Sequence, residues 1–291
     1  MKILYITNIC NIGEILQEEA QYHNIITKYI NYPWNKRNPF HFIEFLKFIL
    51  EDDLFGFDVY HYNWPIASLL PQNKDIPYLK KKGKVIVLHY HGSDIRFRKE
   101  KKILKKIEKK IISTPDLQKR LPDAEWIPFP INIRDMKERK TWNDIPKIIH
   151  APSDRKKKGT THILKSIKKL QEKYLLHFEL IENKSYSYVL KKMAMADIVI
   201  DQIGPGWYGK VTLEALYSGA IPCFFLHPAL EHHITEKFYV NITEDTLIQK
   251  LSRVLEDESL RNNLRKTGYR YLKDVHDSKK IMKKLIQLYN R

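Results

Sequence analysis

Two stretches in the second half of the chain have residue types and spacing suited to binding an anion. The first is APSDRKKKGT, beginning at Ala151, in which Arg155 and Lys158 precede Gly159 and a helical pattern. A guanidinium can take two phosphate oxygens at once, and an ammonium adds a compact charge. The same run also reads as a solvated lysine loop. The second stretch, DIVIDQIGPGWYGKVTLEALYSGAIPCFF, begins at Asp197. An apolar run, Ile198 to Ile200, ends at Asp201. A loop with Gly204, Pro205, Gly206 and Gly209 follows, and then a helical pattern from Val211 to Tyr217 carrying Glu214 and stopped by Gly219. Strand, glycine loop, helix and strand in that order place backbone N–H groups and a helix N-terminus at the carboxyl edge of a parallel sheet, where a diphosphate binds readily.

A third candidate lies in the first half, in LHYHGSDIR from Leu88. A buried β run that ends in His89, Tyr90, His91, Gly92, Ser93 and Asp94 puts polar side chains at the ligand edge of an open α/β sheet. His91 is the functional candidate of the pair, with a core or capping role as its alternative. Asp94 is either a contact or a cap. His61 and Asn63 follow a shorter strand pattern, and His61 reads as structural.

Around these stretches, apolar runs and helical periodicities alternate along both halves. In the first half, strands are expected at 2–7, 58–62, 84–88 and 111–114, with helices at about 14–22, 40–50 and 98–111. The last of these is basic and amphipathic, so its apolar face suits either an anionic membrane or the sheet. The proline-rich run ending at Pro130, then a polar stretch, mark a domain boundary. The second half restarts with strands at 147–150, 177–182, 198–201, 221–225 and 239–242. Its helices are expected at 160–173, 185–196, 211–217, 244–255 and 258–273, with a final amphipathic helix at 278–289.

With 291 residues, 43% hydrophobic and 29% charged, the chain can bury a substantial core and does not read as disordered. Two cysteines, Cys10 and Cys223, both beside apolar runs, suggest buried small hydrophobes rather than a disulfide framework or metal cluster. No apolar run reaches membrane-spanning length and no signal peptide is evident, which suggests a cytoplasmic protein, soluble or peripheral. The net charge is +17, and thirteen Lys and Arg lie between Lys80 and Lys110 against three acids, a local excess of +10. Such a patch holds nucleic acid, anionic lipid or an acidic polymer, or is simply a solvated face. No RRM, KH or helix-turn-helix pattern supports a nucleic-acid partner.

The chain resembles the retaining glycosyltransferases of family 4. The carrying residues are HAPSDRKKKGT from His150, matching the family's Arg-x-x-Lys-Gly at Arg155, Lys158 and Gly159, and YGKVTLEALYSGAIP from Tyr208; LHYHGSDIR is a weaker third. The resemblance implies an α/β GT-B fold, two facing Rossmann-like domains with a cleft between them. These would span 1–140 and 141–274, with the terminal helix, 275–291, packing back on the first. It implies sugar transfer from a nucleotide-sugar to a glycan or lipid-linked acceptor, with retention of configuration, no cofactor and no metal. Arg155 and Lys158 would neutralise the diphosphate and His91 would face the sugar. Gly159, Asn183, Tyr208, Gly209, Val211, Thr212 and Glu214 would bind the donor, Glu214 through the ribose. Gly13, Asn63, Asp94, Asp201, Gln202 and Trp207 are candidates for sugar or acceptor contacts. One departure stands out: the family's first glutamate, separated from the second by seven residues, falls on Gly206. Two alternatives remain, a nucleic-acid-binding or DNA-modifying protein on the same fold, and an inactive scaffold.

Overall fold

A computed structural model of the protein describes residues 1–30, 54–65, 69–70, 73–96, 98–139 and 141–291. The helix expected at 40–50 lies outside the described residues. The chain divides into two compact units, Met1–Asn132 with Ser278–Arg291, and Ile133–Asp277.

The first unit is built on strands β1 (Lys2–Ile6), β2 (Ile26–Ile30), β3 (Val59–Tyr62), β4 (Val85–Tyr90), β5 (Lys110–Ile112) and β6 (Glu125–Trp126). They form one parallel sheet in the order β2-β1-β3-β4-β5-β6. Its central strands are apolar without alternation, the pattern of strands buried on both faces. Ile3, Leu4, Tyr5 and Ile6 of β1 are fully buried, as are Tyr60 and Tyr62 of β3 and Val87 and Leu88 of β4. Each such aliphatic side chain contributes about 1.5–3 kcal/mol by leaving water. Helix α1 (Ile12–Gln21) buries Ile12, Leu16 and Ala20 at four-residue spacing, one stripe of a helix. Helix α2 (Asp75–Lys81), which no strong periodicity announces, is followed by the single turn α3 (Lys102–Lys105).

That single turn replaces the long basic helix expected at 98–111. Residues 110–112 pair with β4, Leu88 against Lys110 and Tyr90 against Ile112. The sheet therefore takes the C-terminal part of the periodic run, a case of tertiary pairing overriding local propensity. Leu104, Ile107 and Ile111 are buried and Ile103 packs on the same core, so the apolar side chains face the protein. Cys10 is also corrected: it is exposed, in a backbone with φ 51°, whereas Cys223 is fully buried.

The second unit carries β7 (Lys147–His150), β8 (His177–Leu180), β9 (Ile198–Gln202), β10 (Ile221–Phe224) and β11 (Val240–Asn241), all parallel, in the order β11-β10-β9-β7-β8. Its helices are α4 (Arg155–Lys158), α5 (Thr160–Lys173), α6 (Tyr186–Met193), α7 (Lys210–Tyr217), α8 (Leu247–Glu256) and α9 (Glu258–Val275). Side chains alternate across the sheet. Ile198 and Ile200 join a core with Ile163, Ile167 and Leu251, while Val199 joins another with Ala215 and Met193. Helix α10 (Ser278–Asn290) belongs to the first unit, where Ser278 donates through Oγ to Glu19 at 2.9 Å and through its amide to the Ile131 carbonyl at 3.0 Å.

Asp197, at the start of β9, knits the N-terminal edge of the second sheet. Its fully buried carboxylate accepts from the Lys147 amide at 2.8 Å, from Asn143 Nδ2 at 2.7 Å and from Arg139 at 3.1 Å, with the buried Arg265 guanidinium 3.5 Å away. Asp197→Ala leaves those donors and Arg265 without their anion. It is expected to cost about 3–5 kcal/mol in urea unfolding monitored by circular dichroism; a loss under about 1 kcal/mol would refute the role given to this carboxylate.

Candidate functional site

In the second unit, β7 and β9 lie side by side, and the loops that leave their carboxyl ends hold the residues singled out above. His150, the last residue of β7, is fully buried and fixes the arrangement. Its Nδ1 bonds the Ile200 carbonyl at 2.8 Å and its Nε2 pairs with Thr160 Oγ1 at 2.9 Å, tying β7 to β9 and to the first turn of α5. Burial holds the ring below its ordinary pKa, so it serves as a neutral brace. Gly159 separates α4 from α5 with φ 73°, and a Cβ there would sit 2.2 Å from Ile203 Cγ1. Only glycine allows this left-handed backbone at such close approach.

Lys158 and Asp201 form the centre of the site. The Asp201 carboxylate, at the end of β9, is only 2% exposed. Its Oδ1 accepts from Lys158 Nζ at 2.5 Å; its Oδ2 accepts from the Gly209 amide at 2.8 Å and from Thr212 Oγ1 at 2.9 Å. One side chain thereby joins α4, the glycine loop and the first turn of α7. Burial alone would push Asp201 up, but the Lys158 ammonium and the two loop donors outweigh it and hold the carboxyl below its usual value of 3.8. Arg155 is more exposed and makes a bidentate pair with Glu182, Nε to Oε1 at 2.7 Å and Nη2 to Oε2 at 2.5 Å. Lys158 thus sits beside the N-terminus of α7, a place of positive partial charge, and each of the two cations already has a carboxylate partner.

Glu214 is 8% exposed on α7. Tyr186 donates to it at 2.7 Å, and Lys210 Nζ lies 3.4 Å away and 4.8 Å from the centre of the Tyr186 ring. Burial raises the Glu214 carboxyl, with Lys210 and Tyr186 acting in the opposite sense. Tyr186 and Glu182 are the residues that sequence reasoning missed. They lie outside the recurring motifs, and only the sheet order brings them here.

Other sequence candidates are placed differently. Gln202 donates through Nε2 to the Trp207 carbonyl, and Trp207 is 1% exposed and stacked on Tyr208. The Tyr208 hydroxyl bonds Tyr271 at 2.8 Å and His276 at 2.9 Å inside an aromatic core with Phe224 and Phe238. Tyr208, Trp207 and Gln202 therefore shape the glycine loop from within. Val211 is partly exposed in the first turn of α7, and Asn183 is exposed with φ 54° in the turn after β8. Gly206 has φ 80° and its Cβ would meet His227 Cβ at 3.0 Å, so the loop is built for a residue without a side chain at this position. A cavity of about 560 Å³ lined by Lys237, Tyr239, Lys250, Arg253 and Leu264 contains none of these residues.

In the first unit, Asn63 and His91 follow β3 and β4, adjacent strands of the sheet, and Gly13 lies buried in the first turn of α1. The Asp94 carboxylate accepts from the His91 amide at 3.0 Å and the Gly92 amide at 2.8 Å, so it caps the turn that carries His91. The Asn63 side-chain amide is fully buried, and neither its oxygen nor its nitrogen has a partner among the described residues. Between Lys80 and Lys110, Arg96 pairs with Asp116 at 2.8 Å and Lys110 with Glu100 at 3.0 Å, while Lys101 bonds Asn73 and Lys109 the Leu288 carbonyl. Part of that charge is therefore compensated internally. Among the described residues no helix is long and apolar enough to cross a membrane, and no three His, Cys, Asp or Glu are grouped to hold a metal ion.

No protein-family profile and no curated protein matches the chain. Solved structures do. Sucrose-phosphate synthase from Thermosynechococcus elongatus matches with a TM-score of 0.69 at 13% identity, covering 100% of this chain and 98% of that one. Anabaena HepE in complex with UDP-glucose matches at 0.67 and 12%, covering 100% and 99%. The chain has the GT-B fold. WaaG, a glycosyltransferase involved in lipopolysaccharide biosynthesis, matches at 0.52 and 12%, covering 99% of each chain. The GT-B neighbours thus agree with the two parallel-sheet units described above.

The Lys158–Asp201 pair gives a stability test. Lys158→Met leaves a buried carboxylate without its cation and is expected to cost about 3–5 kcal/mol at pH 7. The wild-type contribution is present above the ordinary carboxylate pKa and is lost as pH falls through the depressed folded value. The difference between wild type and variant should therefore narrow in acid, below about pH 4. A gap in denaturant midpoint that stays constant from pH 7 to pH 3 would rule out the ion pair as its source.

Proposed function

We propose that the protein is a glycosyltransferase that takes a sugar from a nucleotide-sugar donor bound at the carboxyl edge of the second sheet. The observation that carries this reading is the convergence of Arg155, Lys158, the Gly209 loop, the α7 N-terminus and Glu214 around the ends of β7 and β9. Cations beside a helix N-terminus suit a diphosphate, and a buried carboxylate one helical turn further on suits ribose hydroxyls. Structural neighbours in complex with UDP or UDP-glucose support the donor class.

In this reading Lys158 and Arg155 stabilise the charge that develops on the departing diphosphate, which is where an electrostatic contribution is largest. Arg155 must exchange Glu182 for phosphate oxygens. Lys158 can keep Asp201, because an ammonium has three donors. We assign retention of configuration, as in the family that the Arg-x-x-Lys-Gly motif resembles. The acceptor is a glycan or a lipid-linked saccharide, and the same charge arrangement requires neither metal nor cofactor. The exposed lysines between Lys80 and Lys110 would lie against an anionic membrane surface on the cytoplasmic side. That association rests on charge alone, because the segment expected as an amphipathic helix is a single turn and a strand.

Thermal shift with UDP-, GDP-, ADP- and dTDP-sugars tests the donor class, since a ligand of the native state raises the melting temperature. One nucleotide should separate from the rest. Arg155→Ala, an exposed change that spares the core, should weaken its binding by about 10- to 100-fold through loss of a charge-assisted pair. No shift with any nucleotide-sugar, or unchanged affinity in Arg155→Ala, would sink the assignment.

A further inference from the structure

The first unit holds a chain of hydrogen-bonded side chains that the donor site does not use. It starts at Tyr289 on α10 and runs through His61 on β3, His89 on β4 and Ser113, just after β5, to His91. Tyr289 Oη lies 2.6 Å from His61 Nδ1, and His61 Nε2 lies 3.1 Å from His89 Nδ1. His89 Nε2 lies 2.9 Å from Ser113 Oγ, which lies 2.7 Å from His91 Nδ1. His61, His89, Ser113 and Tyr289 are at most 3% exposed. His91 is half-buried, and its Nε2, itself shielded from solvent, makes no hydrogen bond among the described residues.

The distances assign a direction. A hydroxyl donating to a ring nitrogen makes a short contact, whereas an N–H donating to oxygen prefers about 2.9–3.0 Å and rarely falls below about 2.7 Å. The 2.6 Å contact is therefore Tyr289 O–H donating to His61 Nδ1. A neutral imidazole carries one proton, so His61 holds it on Nε2 and donates to His89 Nδ1. His89 in turn donates from Nε2 to Ser113 Oγ, at the length expected of N–H···O. The Ser113 hydroxyl, thus accepting, donates to His91 Nδ1 at 2.7 Å. His91 is left with its proton on Nε2, the nitrogen outside the chain of hydrogen bonds. In the reverse direction the two shortest contacts of the chain, 2.6 and 2.7 Å, would both be N–H···O.

We propose that Tyr289, His61, His89 and Ser113 form a directional relay that positions the His91 proton on Nε2, so that His91 meets its ligand as a neutral hydrogen-bond donor. The ligand atom opposite must then be an acceptor, a hydroxyl or phosphate oxygen, and His91 is not the base that removes a proton from it. Burial favours the uncharged rings throughout, holding His61 at about 3 and displacing His89 and His91 downward as well. The four relay residues are positioning residues. They reach the ligand only through His91, and the terminal helix enters the site through Tyr289. The direction of the relay is independent of the proposed function; that the acceptor belongs to a sugar or nucleotide-sugar rests on it.

Long-range ¹H–¹⁵N correlation spectra of the full chain, labelled at histidine and free of nucleotide, read the tautomers directly. His91 is assigned from the spectrum of His91→Gln. The wild type should show His61, His89 and His91 all protonated on Nε2 and bare on Nδ1 at neutral pH. Ser113→Ala should convert His91 alone to a mixture of tautomers and leave His61 unchanged. Tyr289→Phe removes the donor that orients the chain, so all three rings should become mixtures. A His91 proton on Nδ1, a doubly protonated His91 at neutral pH, or a folded Tyr289→Phe protein with unaltered His91 signals would each overturn the relay. If Tyr289→Phe fails to fold, Ser113→Ala decides: wild-type signals for His91 in that variant refute the proposal. Because no nucleotide is present, a negative result here leaves the donor assignment standing, and failure of the donor assignment leaves the relay testable.

Discussion

A single buried carboxylate organises the candidate donor site. Asp201 uses its two oxygens separately, one for the Lys158 ammonium and the other for the Gly209 amide and the Thr212 hydroxyl. Removing a charge from water is costly, and it is tolerated here only because the cation and the two donors are all in place. The position of Lys158, the course of the glycine loop and the start of α7 therefore depend on one another. His150 supplies the neutral counterpart, bracing β7 against β9 and α5 without adding charge.

The two units differ in how their ligand-edge polar groups are satisfied. The second concentrates charge at both edges of its sheet, with Asp197 at one and Asp201 at the other, each compensated by cations and backbone amides. The first also buries carboxylates, Asp75 and Asp94, which accept from backbone amides, but beside them lies a row of neutral side chains. Three histidines, a serine and a tyrosine satisfy one another in sequence, and no formal charge is needed. Charge pairs suit a place where a diphosphate is to be met. A neutral relay suits recognition of oxygen by a donor whose protonation does not vary.

Much of this was legible in the residues. The strand at Lys147–His150 and the helix from Thr160 to Lys173 are where apolar runs and helical spacing place them. The glycine loop is flanked by β9 and α7 as its pattern requires. The basic run at 98–111 shows the limit. Its helical spacing is real, yet the pairing of Lys110 and Ile111 with β4 claims its end, because a ladder across a sheet is a non-local gain that periodicity does not register. Helix α2 went unannounced for the converse reason, being short and held by its burial.

By itself, the order of residues determined the strands of the second sheet and which loops leave their carboxyl ends, since hydrophobic period and glycine placement are local properties, whereas β2 and β6 of the first sheet went unannounced. It also singled out Arg155, Lys158 and Glu214 by type and spacing. Only the tertiary structure decided what those residues touch. Asp201, expected as a sugar contact, lies buried against Lys158; Tyr208 points into an aromatic core; Arg155 finds Glu182 and Glu214 finds Tyr186. The relay from Tyr289 to His91 joins partners from distant parts of the chain, and such contacts exist only once parallel strands bring those segments to one edge. Side-chain partnership is set by strand order and packing, and neither is written in any local stretch of sequence.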